Sequence, residues 1–291
     1  MKTSIALDCG LHTGVKTPEE AAAFIKEAGF DGIDLDMDWE VSVPFCEAEW
    51  RARILAHAAA AQKQGLEILQ CHLPYWPGHV DLPGEGTYEA YEAELLPRFR
   101  LALALCAQLG CKTAVMHPFI SLDRRRLTLD GNVRLLKKLL PDMEKHGVRI
   151  ALENVYASRR GQYLYTAVSD AEGILEIAQR VGSPLVGACM DTGHANIFGI
   201  NAAEMARQLG DRLIALHVNG NAGKDEHVIP YTMSDWCECM DYHALSQALK
   251  AIGYTGSYNL EVAAGPSSPA VAAAFYRYAG AVARTLADEA E

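Results

Sequence analysis

Five of the ten histidines and four carboxylates recur in one setting, at the end of a short apolar run or in the loop just after it. His72 follows Leu69-Gln70-Cys71, His117 follows Val115-Met116, and Glu153 follows Ala151-Leu152, with Asn154 next. Asp191 and His194 stand in Met190-Asp191-Thr192-Gly193-His194. His217 follows Ala215-Leu216, Asp225 and His227 lie in the loop after it, and Glu261 follows Leu260. Singly, each is ordinary. A strand-end His is usually a hydrogen-bonded structural residue, a Glu there a salt-bridge partner, and Asp191-Thr192 an Asx turn or cap. Jointly they are a costly set of polar groups behind runs that should bury them, and a metal ion resolves that cost. His and carboxylate donors without a regular Cys pattern suit a borderline divalent ion such as Zn²⁺, Mn²⁺ or Co²⁺. Cys237-Glu238-Cys239 is too isolated to read as a zinc knuckle.

The elements that must position these residues alternate along the chain. Strands are predicted at Ser4–Leu7, Gly32–Leu35, Glu67–Cys71, Thr113–Met116, Arg149–Leu152, Leu185–Met190, Leu213–Leu216 and Ser257–Leu260. Helices are predicted near 17–29, 47–64, 86–110, 130–146, 167–181, 201–210, 241–252 and 269–287. Thr17-Pro18-Glu19-Glu20 supplies an N-cap, a first-position Pro and first-turn acids. Gly29, Gly65, Gly110, Gly147, Gly182 and Gly253 stand where helices should end. Strict strand–helix alternation predicts a single (β/α)8 TIM barrel over residues 1–291. A doubly wound sheet is the alternative, but neither GxGxxG nor a P-loop follows the first strand. In a TIM barrel the chemistry sits at the C-terminal strand ends, where the nine residues gather. The irregular stretch 218–240 lies inside the seventh repeat and reads as an active-site loop.

Composition bounds the rest. In 291 residues, 50% are hydrophobic and 22% charged, which excludes a disordered, collagen-like or disulfide-framework chain. Eight scattered cysteines read as free thiols in a reducing cytoplasm. The N-terminus has no signal-peptide pattern and no apolar run is long enough to span a membrane. A net charge of −11 argues against non-specific nucleic-acid binding.

The order His72, His117, Glu153, Asp191-x-x-His194, His217, Asp225-x-His227, Glu261 resembles the xylose isomerase-like TIM barrels. That superfamily holds the sugar phosphate isomerase/epimerase group and the endonuclease IV-type enzymes (AP endonuclease family 2). HVNGNAGKDEHVIP and KAIGYTGSYNLEV are similar to segments of the isomerase/epimerase group. The resemblance implies that Glu153, Asp191, His217 and Glu261 hold one ion acting as a Lewis acid. Glu153 and Glu261 would exchange a proton with a sugar-like substrate through an enediolate. His194, His72, Trp76, Lys224 and Asn154 are the expected substrate contacts. In the endonuclease-like alternative, all nine residues hold up to three zinc ions and cleave abasic DNA. A lyase or dehydratase acting on oxidised sugars, or a metal-binding barrel without turnover, is the third reading.

The rim loops lack the continuous Lys/Arg track a DNA enzyme needs. Arg124-Arg125-Arg126 and Arg159-Arg160 are the basic clusters; they read as anion contacts or as solvated charge. Asp34 or Asp36 reads as a contact to a substrate hydroxyl or as a polar strand end. The chain has His217-Val218-Asn219-Gly220-Asn221 where the group often has HDND. Gly223-Lys224 stands where the ketose 3-epimerases carry an arginine. The reading is therefore a small-molecule enzyme, with a homo-oligomer compatible with its rim loops and helices.

Overall fold

The structure is a computed structural model, and it describes residues 1–6, 17–38, 45–75, 86–122, 124–232, 240–263 and 268–291. The apolar runs become parallel strands: β1 (Thr3–Ala6), β2 (Gly32–Asp36), β3 (Glu67–His72), β4 (Thr113–Met116) and β5 (Arg149–Glu153). A short antiparallel hairpin follows, β6 (Ala157–Arg159) and β7 (Gln162–Leu164), and then β8 (Val186–Asp191), β9 (Leu213–His217) and β10 (Tyr258–Leu260). The eight parallel strands pair in chain order, with β10 beside β1. Beyond the end of β9, Val218 bridges Leu260, its N–H donating to Asn259 O at 2.9 Å while Glu261 N–H donates to Val218 O at 3.1 Å. The TIM barrel read from the sequence is the observed architecture.

The helices are α1 (Pro18–Glu27), α2 (Glu47–Lys63), α3 (Gly86–Gln108), α4 (Arg125–His146), α5 (Ala171–Val181), α6 (Thr192–Ile197), α7 (Ala202–Leu209), α8 (Tyr242–Ile252) and α9 (Pro269–Glu289). Their starts have local causes. Thr17, Asp170, Asn201, Asp241 and Ser268 each accept a first-turn N–H through the side chain. Gly147 and Gly182 close α4 and α5 with φ of 62° and 75°, the left-handed turn expected of a C-terminal Gly. No helix among the described residues is long and apolar enough to cross a membrane. Cys46, Cys71, Cys106, Cys111 and Cys189 are free thiols.

Three features differ from the sequence reading. Helix α4 starts at Arg125 rather than near 130, because buried polar side chains fasten its first turns to the loop after β4. Asn132 Oδ1 accepts Phe119 N–H at 2.9 Å and Nδ2 donates to Phe119 O at 2.8 Å, while Thr128 Oγ1 accepts Ser121 N–H. Helix α5 starts at Ala171 rather than 167, because the Thr166 and Ser169 hydroxyls bind Val155 O and hold a turn before it. Neither the β6–β7 hairpin nor α6 is among the elements predicted from the sequence.

Strand parity sets what faces the barrel axis, since alternate side chains point to opposite faces. His117, Glu153, Asp191 and His217 point inward at the rim, so Val115, Ala151, Cys189 and Ala215 point inward one layer below. Those four form a small buried cluster of their own, apart from the main core. The other half of that layer is polar: Ser4, Asp34, Gln70 and Asn259 bond to one another.

Asn132 is fully buried and holds three backbone groups through its amide. Asn132→Ala is expected to lower stability by about 3 kcal/mol, because buried donors and acceptors lose their partners. Urea unfolding of the purified variant checks this.

Candidate metal centre

The strands deliver their last residues to one point. His72, Glu153, Asp191 and His217 are the final residues of β3, β5, β8 and β9, and His117 and Glu261 come directly after β4 and β10. Glu153, 1% exposed, stands at the centre. Its Oε2 is 3.3 Å from His72 Nε2, 3.2 Å from His117 Nε2 and 3.4 Å from His217 Nδ1. Its Oε1 is 3.2 Å from His194 Nδ1. Asp191 caps α6, its Oδ1 accepting His194 N–H at 2.7 Å, while its Oδ2 accepts Asn219 Nδ2 at 2.9 Å. Gly193 permits that contact, for a Cβ there would lie 1.9 Å from Asn219 Oδ1.

The donors fall into three sets, two of them sharing Glu153, each with its ligand atoms within 4.8 Å of one another. The sets are His72, His117 and Glu153; Glu153, Asp191, His217 and Glu261; and His194, Asp225 and His227. Cys189, below the rim, joins Glu153 and His217 in a fourth. All nine residues singled out from the sequence are thus brought together.

Ring hydrogen bonds orient four of the five imidazoles. His72 Nδ1 donates to Leu73 O at 3.0 Å, His194 Nδ1 to Asn154 O at 2.9 Å and His227 Nδ1 to Glu261 O at 3.0 Å. Each leaves Nε2 to face a carboxylate, Glu153 for His72 and Asp225 for His194 and His227. His217 is the reverse: Nε2 meets Asp34 Oδ2 at 3.1 Å and Nδ1 faces Glu261 Oε2 at 3.3 Å. His217 Nδ1 and Glu261 Oε2 are buried without a hydrogen-bond partner among the described residues. Ring nitrogens and carboxylates aimed at one another need a proton or a metal ion between them, and outer hydrogen bonds of this kind are what metal-bound His carries. The donor set fits a divalent ion.

The protein's own electrostatics draw protons to the same place. Burial opposes a charged His72, but Glu153 beside it carries the ring up to about 9. His194 also reaches about 9, with Asp191 and Glu153 outweighing burial, and His227 about 10 through Glu261 and Asp225. Burial takes His117 down to about 4. Burial also pushes Glu261 up to about 7, against the pull of His217 and His227. Glu153 is held well below the usual carboxylate range, because His217 and His117 outweigh its burial.

A cavity of about 450 Å³ opens over this cluster. Asp34, Asp36, Tyr75, Val155 and Tyr156 line it beside seven of the nine donors. Tyr75 lies 4.8 Å from His117, ring to ring, and Tyr156 5.1 Å from His194. The β6–β7 hairpin, unforeseen from the sequence, anchors the third donor set. Tyr156 OH donates to Asp225 Oδ2, and Tyr163 OH accepts Asp225 N–H at 3.1 Å. Arg160-Gly161 between two short alternating runs was the sequence signal for that hairpin. His227 has a φ of 46°, a costly left-handed turn for a residue with a Cβ, next to Asp225 Oδ1 at 2.8 Å.

Of the five expected substrate contacts, His194 and His72 line the cavity. Two do not. Asn154 is buried with its amide paired to the Asp191 backbone, at 2.7 and 2.9 Å, because parity turns it sideways when Glu153 points in. Lys224 is exposed to solvent, outside the cavity lining, since Asp225 and His227 take the inward positions of that loop. Trp76 lies outside the described residues. Arg125 pairs with Glu172 and Glu176 and Arg126 with Asp130, so these basic residues are held on the outer helices.

Comparison with known proteins places this arrangement. A family model described as xylose isomerase-like TIM barrel matches residues 22–278. An uncharacterised protein of Sinorhizobium fredii, y4fM, is 28% identical over 261 residues, covering 81% of this chain and 78% of its own. A crystal structure of D-psicose 3-epimerase in the presence of D-fructose superposes with a TM-score of 0.74 at 18% identity, covering 98% of this chain and 99% of that one. The IOLI protein with a zinc atom superposes at 0.67 and 20% identity, covering 100% and 98%. With the family model spanning all but the ends and the nine donors gathered at the rim of the barrel, the chain belongs to the xylose isomerase-like TIM barrel family.

Proposed function

We propose that this chain is a divalent-metal-dependent isomerase or epimerase of a sugar or sugar-derived small molecule. One observation carries the reading. Glu153 and Glu261 line one cavity, and their ligand atoms share a 4.8 Å cluster with Asp191 and His217. Those four would hold the ion, Zn²⁺, Mn²⁺ or Co²⁺, and it would supply Lewis-acid polarisation of a carbonyl and neighbouring hydroxyl. Glu261 takes the proton from the carbon beside the carbonyl, giving an enediolate, and Glu153 returns one. Delivery to the opposite face epimerises; delivery to the adjacent carbon isomerises. His194 and His72 orient substrate oxygens, while Tyr75 and Tyr156 wall the cavity against water. The likeness to D-psicose 3-epimerase and to a zinc-bound IOLI protein supports this assignment. The whole chain acts as one barrel domain, and its free thiols suit the cytoplasm.

A second reading has its own observation: the nine donors form three sets, enough for up to three zinc ions and phosphodiester cleavage. Against it, no Lys or Arg lines the cavity among the described residues.

Metal uptake must displace protons, because His72, His194 and His227 have raised pKa values of about 9 to 10. Affinity is therefore expected to rise from pH 6 to pH 9, with protons released at pH 7. Calorimetry in buffers of different ionisation enthalpy, with metal analysis for stoichiometry, measures both.

The epimerase reading predicts solvent deuterium entering a substrate C–H position. Glu261→Gln should slow that exchange by roughly 10²-fold or more. No exchange across a broad panel of ketoses and sugar acids would count against the reading. Close to three zinc per chain together with cleavage of abasic-site DNA at low enzyme concentration would replace it with the phosphodiesterase.

A further inference from the structure

Asp34 lies on β2, one layer below the donors, and is 2% exposed. Its Oδ2 faces three nitrogens: Gln70 Nε2 at 2.6 Å, His217 Nε2 at 3.1 Å and Asn259 Nδ2 at 3.2 Å. The amides are oriented by further bonds. Gln70 Nε2 also donates to Leu216 O at 3.3 Å, and Asn259 Oδ1 accepts the Ser4 hydroxyl at 2.7 Å. Two of the three groups can only donate to Oδ2, so that oxygen carries no proton. The third, His217 Nε2, must then donate as well. The other ring nitrogen of His217, Nδ1, is left to face Glu153 and Glu261.

We propose that Asp34 is a positioning residue of the metal site. Its carboxylate fixes His217 as the Nε2–H tautomer and strengthens Nδ1 as the ligand atom. The inference rests on the metal reading above and assigns a function to a residue that touches neither ion nor reacting carbon. Its physical basis is the charge of the outer partner. A carboxylate on the far N–H orients the imidazole and raises its donor strength, and losing such a partner typically costs 10- to 100-fold in metal affinity.

The second carboxylate oxygen supplies the means of testing it. Asp34 Oδ1 is buried with no hydrogen-bond partner among the described residues. An Asn at this position keeps one oxygen for the three donors and places its amide nitrogen where Oδ1 stands. Asp34→Asn therefore retains volume and hydrogen bonds while removing the charge. The experiment compares zinc affinity of wild type and Asp34→Asn by chelator competition, with the visible spectrum of the cobalt-loaded forms. It also reads the His217 tautomer in zinc-loaded wild type by ¹⁵N NMR, which depends on no variant folding.

The expected result is a loss of roughly 10- to 100-fold in zinc affinity and a shifted cobalt spectrum, with an unchanged melting temperature before metal is added. Zinc-loaded wild type should show Nε2–H and bound Nδ1 on His217. Equal affinities and equal spectra, or zinc bound through Nε2, overturn the positioning role and leave the metal reading standing. Wild type that takes up no zinc, manganese or cobalt overturns both.

Discussion

A carboxylate with 1% exposure must be surrounded by donors or cations, and the barrel mouth is arranged round that requirement at Glu153. Four imidazoles stand within 3.4 Å of its two oxygens, drawn from β3, the end of β4, α6 and β9. Each strand must stop at the right height for this. The register does so, pairing Glu153 with Cys189 and Asp191 with His217 across neighbouring strands. A one-residue slip in β8 or β9 would turn the ligand outward and a neighbour in. The fold and the site are therefore one specification.

Beneath the donors the barrel interior divides into two halves. Val115, Ala151, Cys189 and Ala215 are small and leave room for the side chains above them. Ser4, Asp34, Gln70 and Asn259 form a bonded polar layer where a TIM barrel commonly packs branched apolar residues. A buried network of this kind costs stability unless its members are satisfied, and among the described residues neither Asp34 Oδ1 nor, above it, Glu261 Oε2 has a partner. Those exceptions sit under and at the proposed ion, which is where such costs are expected to collect.

The barrel and the nine donors were legible because both obey local rules. Apolar runs of strand length alternate with helical stretches, and the polar residue ending each run stands out against it. What escaped had no local rule. Asp34, Gln70 and Asn259 make their bonds across separations of 36 and 225 residues, so no window of sequence shows them as partners. Chain order puts Asn154 beside Glu153 and Lys224 where the ketose 3-epimerases carry an arginine, whereas parity along the backbone decides which side chain faces in. The β6–β7 hairpin is only three residues per strand, too short for its alternation to stand out from a loop.

The seam between β9 and β10 is closed by residues past the end of β9, through Val218 and its bonds to Asn259 and Glu261. His217 and Glu261 flank that join, one on each side. An ion held by both would work as a clasp across the thinnest closure of the ring. Opening of the barrel and release of the ion would then be a single event, so occupancy of the site and the mechanical integrity of the cylinder rise and fall together.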